Sequence, residues 1–160
     1  MELSAQALIT VMEKLLKLHQ SLLGLSKEKT AILKNGDFDA FQEYLRNEQK
    51  HINAITILEK ERQKAVSSII PEESEWTLTN CLPQLYDADQ EKLLSIKQEL
   101  TDLIKQLKEV NELNQQLVQQ SLQFVNLQLD LLLPDELDNY SKEQNDQDSL
   151  PKTSIFDSKA

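Results

Sequence analysis

From Leu8 to Leu133 the apolar side chains recur at intervals of three and four, and the chain has only 2 glycines in 160 residues. That spacing lays the apolar groups along one helix face, whereas a half-buried strand requires strict alternation. With so little tight-turn chemistry a sheet-rich fold is excluded, and long helices remain. The length holds one domain, two at most.

The opening run, Leu8, Val11, Leu15, Leu18, Leu22 and Leu25 widened by Met12, Leu16 and Leu23, predicts an amphipathic helix over about residues 3–34. Gly24 inside it costs about 1 kcal/mol against alanine, which predicts that another backbone approaches closely there. Asn35, Gly36 and Asp37 form a stop-and-restart signal: glycine closes one helix and aspartate caps the next, with Asp39 and Gln42 as a second capping choice. The second helix, about 38–70, carries Phe38, Phe41, Leu45, Ile52, Ile55, Leu58, Val66 and Ile69 on its predicted apolar face and stops before Pro71. At roughly 50 Å it matches the first helix, so the two should pair antiparallel. A short helix fits at about 77–82, anchored by the flanking Trp76 and Tyr86. Asp87 and Gln90 have capping-box spacing, and a third helix can run over about 88–133 until Pro134 ends it. The expected fold is all-α: an elongated antiparallel bundle of three long helices with a short connector helix over residues 1–133. Residues 134–160 are too polar and acidic to build a core and are expected to form a flexible, disordered tail.

The formal net charge is -10, and it is unevenly placed. Residues 71–91 hold six acids and no base, residues 134–160 hold seven acids against Lys142, Lys152 and Lys159, and the rest of the chain is balanced. No basic stripe is present to neutralise phosphates, which argues against a nucleic-acid partner. No apolar run approaches the ~20 residues that span a bilayer, and Glu2 stands where a secretory leader wants a base. Cys81, the single cysteine, reads as a small buried side chain in a reducing compartment. The chain therefore reads as cytosolic. His19 and His51 lie on separate helices without a neighbouring cysteine, and there is no HExxH, phosphate loop, GxSxG or CxxC. No catalytic, cofactor-binding or metal-binding residue is assigned, and an enzyme is not expected.

The third helix carries the functional signal. In heptads, one core position reads Leu93, Leu100, Leu107, Asn114, Ser121, Gln128 and the other Ile96, Leu103, Val110, Leu117, Phe124, Leu131. The first turns polar halfway, while Leu117 with Val118, Phe124 with Val125, and Leu131 with Leu132 shift the apolar groups to one side, joined by Leu122, Leu127 and Leu129. No charged residue occurs between Glu112 and Asp130, and nine Asn or Gln side chains fill residues 111–128. Amides are covered by a partner at far lower desolvation cost than ions. If this helix runs back along the hairpin, the hairpin covers it to about residue 120, leaving ~20 Å of helix without an intrachain partner. The face assigned to a bound partner comprises Leu117, Val118, Leu122, Phe124, Val125, Leu129 and Leu132. An amphipathic helix of another protein laid on this face is the first reading. The alternative is a structural coiled-coil adaptor that self-associates, as a homodimer, through the same apolar half, and coverage by the tail is a third arrangement. Tyr140 and the Ile155–Phe156 pair are bulky apolar groups in the polar tail, the signature of short docking motifs.

The chain resembles the FlgN family of bacterial flagellar export chaperones in its Gram-positive form. The resemblance rests on the Leu-rich opening helix leading into Glu28-Lys29 and Ala31-Ile32-Leu33, the Gly36-Asp37 turn, the Leu58-Glu59 and Arg62 end of the second helix, and the Asn111 and Asn114 pair opening the apolar half of the third. It implies a small cytoplasmic bacterial protein that binds the C-terminal helical segments of the hook-filament junction proteins FlgK and FlgL and prevents their premature assembly. It also implies delivery to the flagellar type III export gate through the gate's membrane component FlhA, without insertion into the membrane itself. The family's cargo region corresponds to the apolar end of the third helix, and the gate-contacting tyrosine to Tyr140, here followed by Ser141 where relatives tend to have glycine.

Overall fold

The computed structural model describes residues 2–72 and 75–132, and every regular element among them is helical. α1 is Glu2–Asn35, α2 Phe38–Ile69, α3 the single turn Leu78–Cys81 and α4 Asp87–Leu132; a 3₁₀ turn, Leu82–Gln84, follows α3. The chain divides into two compact units, Met1–Val118 and Gln119–Ala160.

Within the first unit, two residues join α1 to α2. Gly36 takes φ 67°, the left-handed conformation that glycine adopts without a Cβ clash, and its N–H donates to the Ile32 carbonyl at 3.0 Å. Asp37 then caps α2, its Oδ1 accepting from the Ala40 N–H at 3.0 Å. The hairpin is antiparallel: Ser21 of α1 meets His51 of α2, while Lys29, farther along α1, meets Glu48, earlier in α2. Gly24 does not serve a close backbone approach, contrary to the sequence reading; a Cβ built there would meet nothing within 4 Å.

The apolar core gathers where the start of α1, the end of α2, the connector and the start of α4 converge. It contains Leu8, Ile9, Met12 and Leu15 of α1, Val66 and Ile69 of α2, Leu78, Cys81 and Leu85 of the connector, and Leu93 and Ile96 of α4. Leu8, Val66 and Leu93 have no accessible surface, and each such burial contributes about 1.5–3 kcal/mol. Thr77 caps α3 by accepting from the Asn80 N–H at 3.2 Å. The Cys81 thiol donates to the Leu78 carbonyl at 3.2 Å, and burial raises its pKa. Trp76 and Tyr86 are exposed, so neither anchors the connector by its ring. The contact at that point is instead polar, with Arg62 of α2 donating from Nη1 to the Trp76 carbonyl at 3.5 Å while holding Glu59 through its other nitrogens. Asp87 is the first residue of α4 instead of its cap, and the Gln90 side chain reaches back to the Leu85 carbonyl at 2.8 Å.

Away from the core, polar groups position α4 on the hairpin. Asn114 is buried; its Nδ2 donates to the Ser26 carbonyl at 2.9 Å and its Oδ1 accepts from the Thr30 hydroxyl at 2.5 Å. α4 therefore runs in the same direction as α1, since Lys92 near its start pairs with Glu13 at 3.0 Å. Beside this contact Tyr44 is buried, its hydroxyl donating to Glu48 at 2.6 Å, with the Lys29 ammonium 5.0 Å from its ring centroid and 3.8 Å from the same carboxylate. Burial first, then the neighbouring Glu48 carboxylate, pushes the Tyr44 phenol far above its ordinary pKa. The α2 face departs from the apolar stripe read from sequence. Phe38, Leu45 and Ile52 are exposed, while Tyr44, His51, Ile55, Leu58, Arg62, Val66 and Ile69 turn inward. Polar members of this face find partners, as His51 does with Ser21 at 2.8 Å and with the Asn47 carbonyl, so their polarity hides the true stripe.

Candidate partner-binding surface

The sequence-assigned residues fall in both units. Leu117 and Val118 end the first, each partly buried. Leu122, Phe124, Val125, Leu129 and Leu132 belong to the helical part of the second, and all five are exposed, as are Leu127 and Leu131 beside them. Tyr140, Ile155 and Phe156 lie outside the described residues.

Residues 119–132 form regular α-helix with every residue exposed. Nothing in their composition breaks a helix, since Leu, Gln and Asn dominate and glycine and proline are missing. Seven apolar side chains between 42% and 76% exposed over about four turns exceed what scattered surface leucines produce. The segment carries one charged group, Asp130, so its apolar groups are interleaved with uncharged amides and a serine. Such a surface can bind apolar helix faces with little desolvation cost.

Elsewhere among the described residues, no group of three or more His, Cys, Asp or Glu side chains is placed to hold a metal ion. His19 is occupied by the Leu15 carbonyl at 2.7 Å and His51 by Ser21 and Asn47. No helix there is long and apolar enough to cross a membrane. Sequence reasoning missed Asn114 as an internal contact: it was grouped with amides available to a partner, yet it is consumed by α1. The signal was present, because Asn114 occupies the core position of the heptad that Leu107 occupies one repeat earlier.

The model of a protein family described as FlgN protein matches residues 1–147. The chain belongs to the FlgN family. This FlgN-family chain is also 37% identical over 161 positions to a Bacillus subtilis (strain 168) protein named "Uncharacterized protein YvyG", covering 99% of this chain and 100% of that one. No solved structure matches it. The family is one of flagellar export chaperones, and the all-helical fold and the exposed apolar helix segment accord with binding of other proteins.

Proposed function

We propose that this FlgN-family chain is a cytoplasmic export chaperone for the C-terminal helical segments of the hook-filament junction proteins FlgK and FlgL. The observation that carries the reading is the cluster of Leu122, Phe124, Val125, Leu129 and Leu132, all exposed on a stretch of α4 whose single charge is Asp130. A cargo helix laid on these side chains is held by the apolar contacts it will later make in the assembled filament, which keeps it from assembling early. Burying four such side chains contributes roughly 6–12 kcal/mol. Association and ordering costs remove several of those, which places the complex in the micromolar to nanomolar range. An affinity of that order is reversible, so handover at the export gate requires competition or pulling and no catalytic step in this chain. Tyr140 is assigned to docking on FlhA, following the family pattern.

The test is a titration of the full chain with a FlgK C-terminal fragment, read by calorimetry and by light-scattering mass. A stoichiometric complex is expected, and Phe124→Asp should fold as the parent does yet bind at least about tenfold more weakly. A chain that is dimeric alone and whose mass the fragment leaves unchanged would replace this reading with the self-associating adaptor.

A further inference from the structure

Asn35 and Gly36 make the chain's single Asn-Gly pair; every other asparagine precedes a residue that carries a side chain. The difference is chemical. Asparagine is thermally labile because the backbone nitrogen of the next residue can attack its side-chain amide carbon. A side chain on that next residue obstructs the approach, and glycine leaves it open. Asn35 and Gly36 are both exposed, and a Cβ built on Gly36 meets nothing within 4 Å, so water and base reach the pair from solvent.

In the closed turn the reaction is held back. Asn35 is the last residue of α1, and the Gly36 N–H donates to the Ile32 carbonyl at 3.0 Å. Attack requires base to remove that same proton and the Asn35–Gly36 peptide to rotate out of its helical setting, so the bond to Ile32 must open first. Such an opening is local. Every residue from Lys34 to Asp39 is exposed, and Leu15, the last buried core residue of α1, lies about 30 Å away along the helix. A segment with exposed backbone hydrogen bonds and no member of the apolar core opens far more often than the whole chain unfolds.

We infer that Asn35 is a site of spontaneous deamidation in the folded protein, gated by local opening of the α1–α2 turn. The Gly36 nitrogen bonds to Asn35 Cγ, the Cγ–Nδ2 bond breaks, and the Gly36 proton leaves with that nitrogen as ammonia. The resulting cyclic imide takes up water. Cleavage of the new Cγ–N bond leaves an aspartyl residue. Cleavage of the original peptide bond leaves an isoaspartyl residue, whose backbone runs through Cβ and Cγ and is one atom longer. Either product sets a carboxylate at the C-terminal end of α1, close in sequence to Asp37 and Asp39, where the helix dipole disfavours it. The longer backbone also displaces Gly36 from its left-handed conformation and Asp37 from its bond to Ala40, because a two-residue link has no slack.

The test incubates the full chain in mildly alkaline buffer, with and without denaturing urea. Position 35 is read by peptide mass mapping and by chromatography that separates the aspartyl and isoaspartyl products. Folded chain is expected to convert at Asn35 roughly ten- to a hundredfold more slowly than unfolded chain. Exchange of the Gly36 amide hydrogen needs the same proton removed, so it should be slowed by a factor within about threefold of that one. Asp37→Ala removes the α2 cap and should speed both processes about fivefold in the folded chain, each rate being divided by that of the same variant in urea. Asn35→Gln cannot close the smaller imide ring and should give no product, with circular dichroism checking its fold. Aged parent should unfold at a lower urea concentration than fresh parent, a shift missing from Asn35→Gln incubated alongside; an unchanged parent midpoint overturns the stated effect on the link. Slowing beyond about a hundredfold, toward that set by global unfolding, would show that the closed turn protects Asn35 and would overturn the inference. Conversion as fast as in urea, or slowing of deamidation and of Gly36 exchange that differs by more than about threefold, would overturn the gating.

Discussion

Asn114 provides the most direct test of how polar contacts hold α4 in place. Replacing it with alanine removes two hydrogen bonds, to the Ser26 carbonyl and from the Thr30 hydroxyl, each worth about 1 kcal/mol net. Neither partner is left without a bond, because the Thr30 hydroxyl also reaches the Ser26 carbonyl at 3.3 Å within α1. The large penalty for an orphaned buried group is therefore avoided, and a small cavity adds the remainder, for a total of about 2–3 kcal/mol. Asn114→Leu loses the same bonds but keeps the volume and gains about 1.5–3 kcal/mol of apolar burial, so its stability should lie within about 1 kcal/mol of the parent. Urea unfolding separates the two. With a slope of about 1.5 kcal/mol per M, the alanine variant should unfold on the order of 1.5 M earlier and the leucine variant within about 0.7 M of the parent. The leucine variant should also show faster amide exchange in α4, because its seam then repeats leucine at Leu93, Leu100 and Leu107 with no polar group to mark one register. An alanine variant within about 0.3 M of the parent would refute a structural role for the amide, and a leucine variant as unstable as the alanine one would refute the separation of bond from volume.

Two further outcomes follow from the first unit. Gly24→Ala should raise stability by about 0.5–1 kcal/mol in urea unfolding, since the glycine lies inside α1 and an added Cβ meets nothing. The Tyr44 phenol has its pKa raised from an ordinary value of 10.0, so above that value the unfolded chain loses the proton first. Its contribution is thus fully present below about pH 10 and lost as pH rises through the raised value; Tyr44→Phe should flatten this part of the alkaline fall in urea midpoint relative to the parent.

The helical character of the chain was legible because periodicity is local, and the α1–α2 turn was legible because Gly36 and Asp37 each have a single well-suited role there. The packing face of α2 was not. Its inward residues include Tyr44, His51 and Arg62, which become compatible with burial only through Glu48, Ser21 and Glu59, and such pairings are invisible to an apolar count. Phe38, Leu45 and Ile52 misled in the opposite sense: Leu45 and Ile52 each follow an inward residue, Tyr44 and His51, by one position, which turns them about 100° away from the packed face, and Phe38 lies one heptad earlier on the same exposed line. Trp76 and Tyr86 were assigned anchoring roles by size alone, while Leu78, Cys81 and Leu85 fill the core beneath the connector. For the partner surface, the apolar content and missing charges of 119–132 were readable. The limit at Leu122 was not, because the burial of Leu117 and Val118 depends on tertiary packing.

The two-residue link between α1 and α2 bears on how the protein is made. Closing so short a loop takes well under a microsecond, and the contacts it brings together are near in sequence, which favours rapid folding. Synthesis adds roughly 5–20 residues per second, so the first 69 residues can fold against each other while α4 is still being translated. Leu93 and Ile96 then arrive on a hairpin already formed, and the exposed leucines near Leu132 are the last of the helix to leave the ribosome.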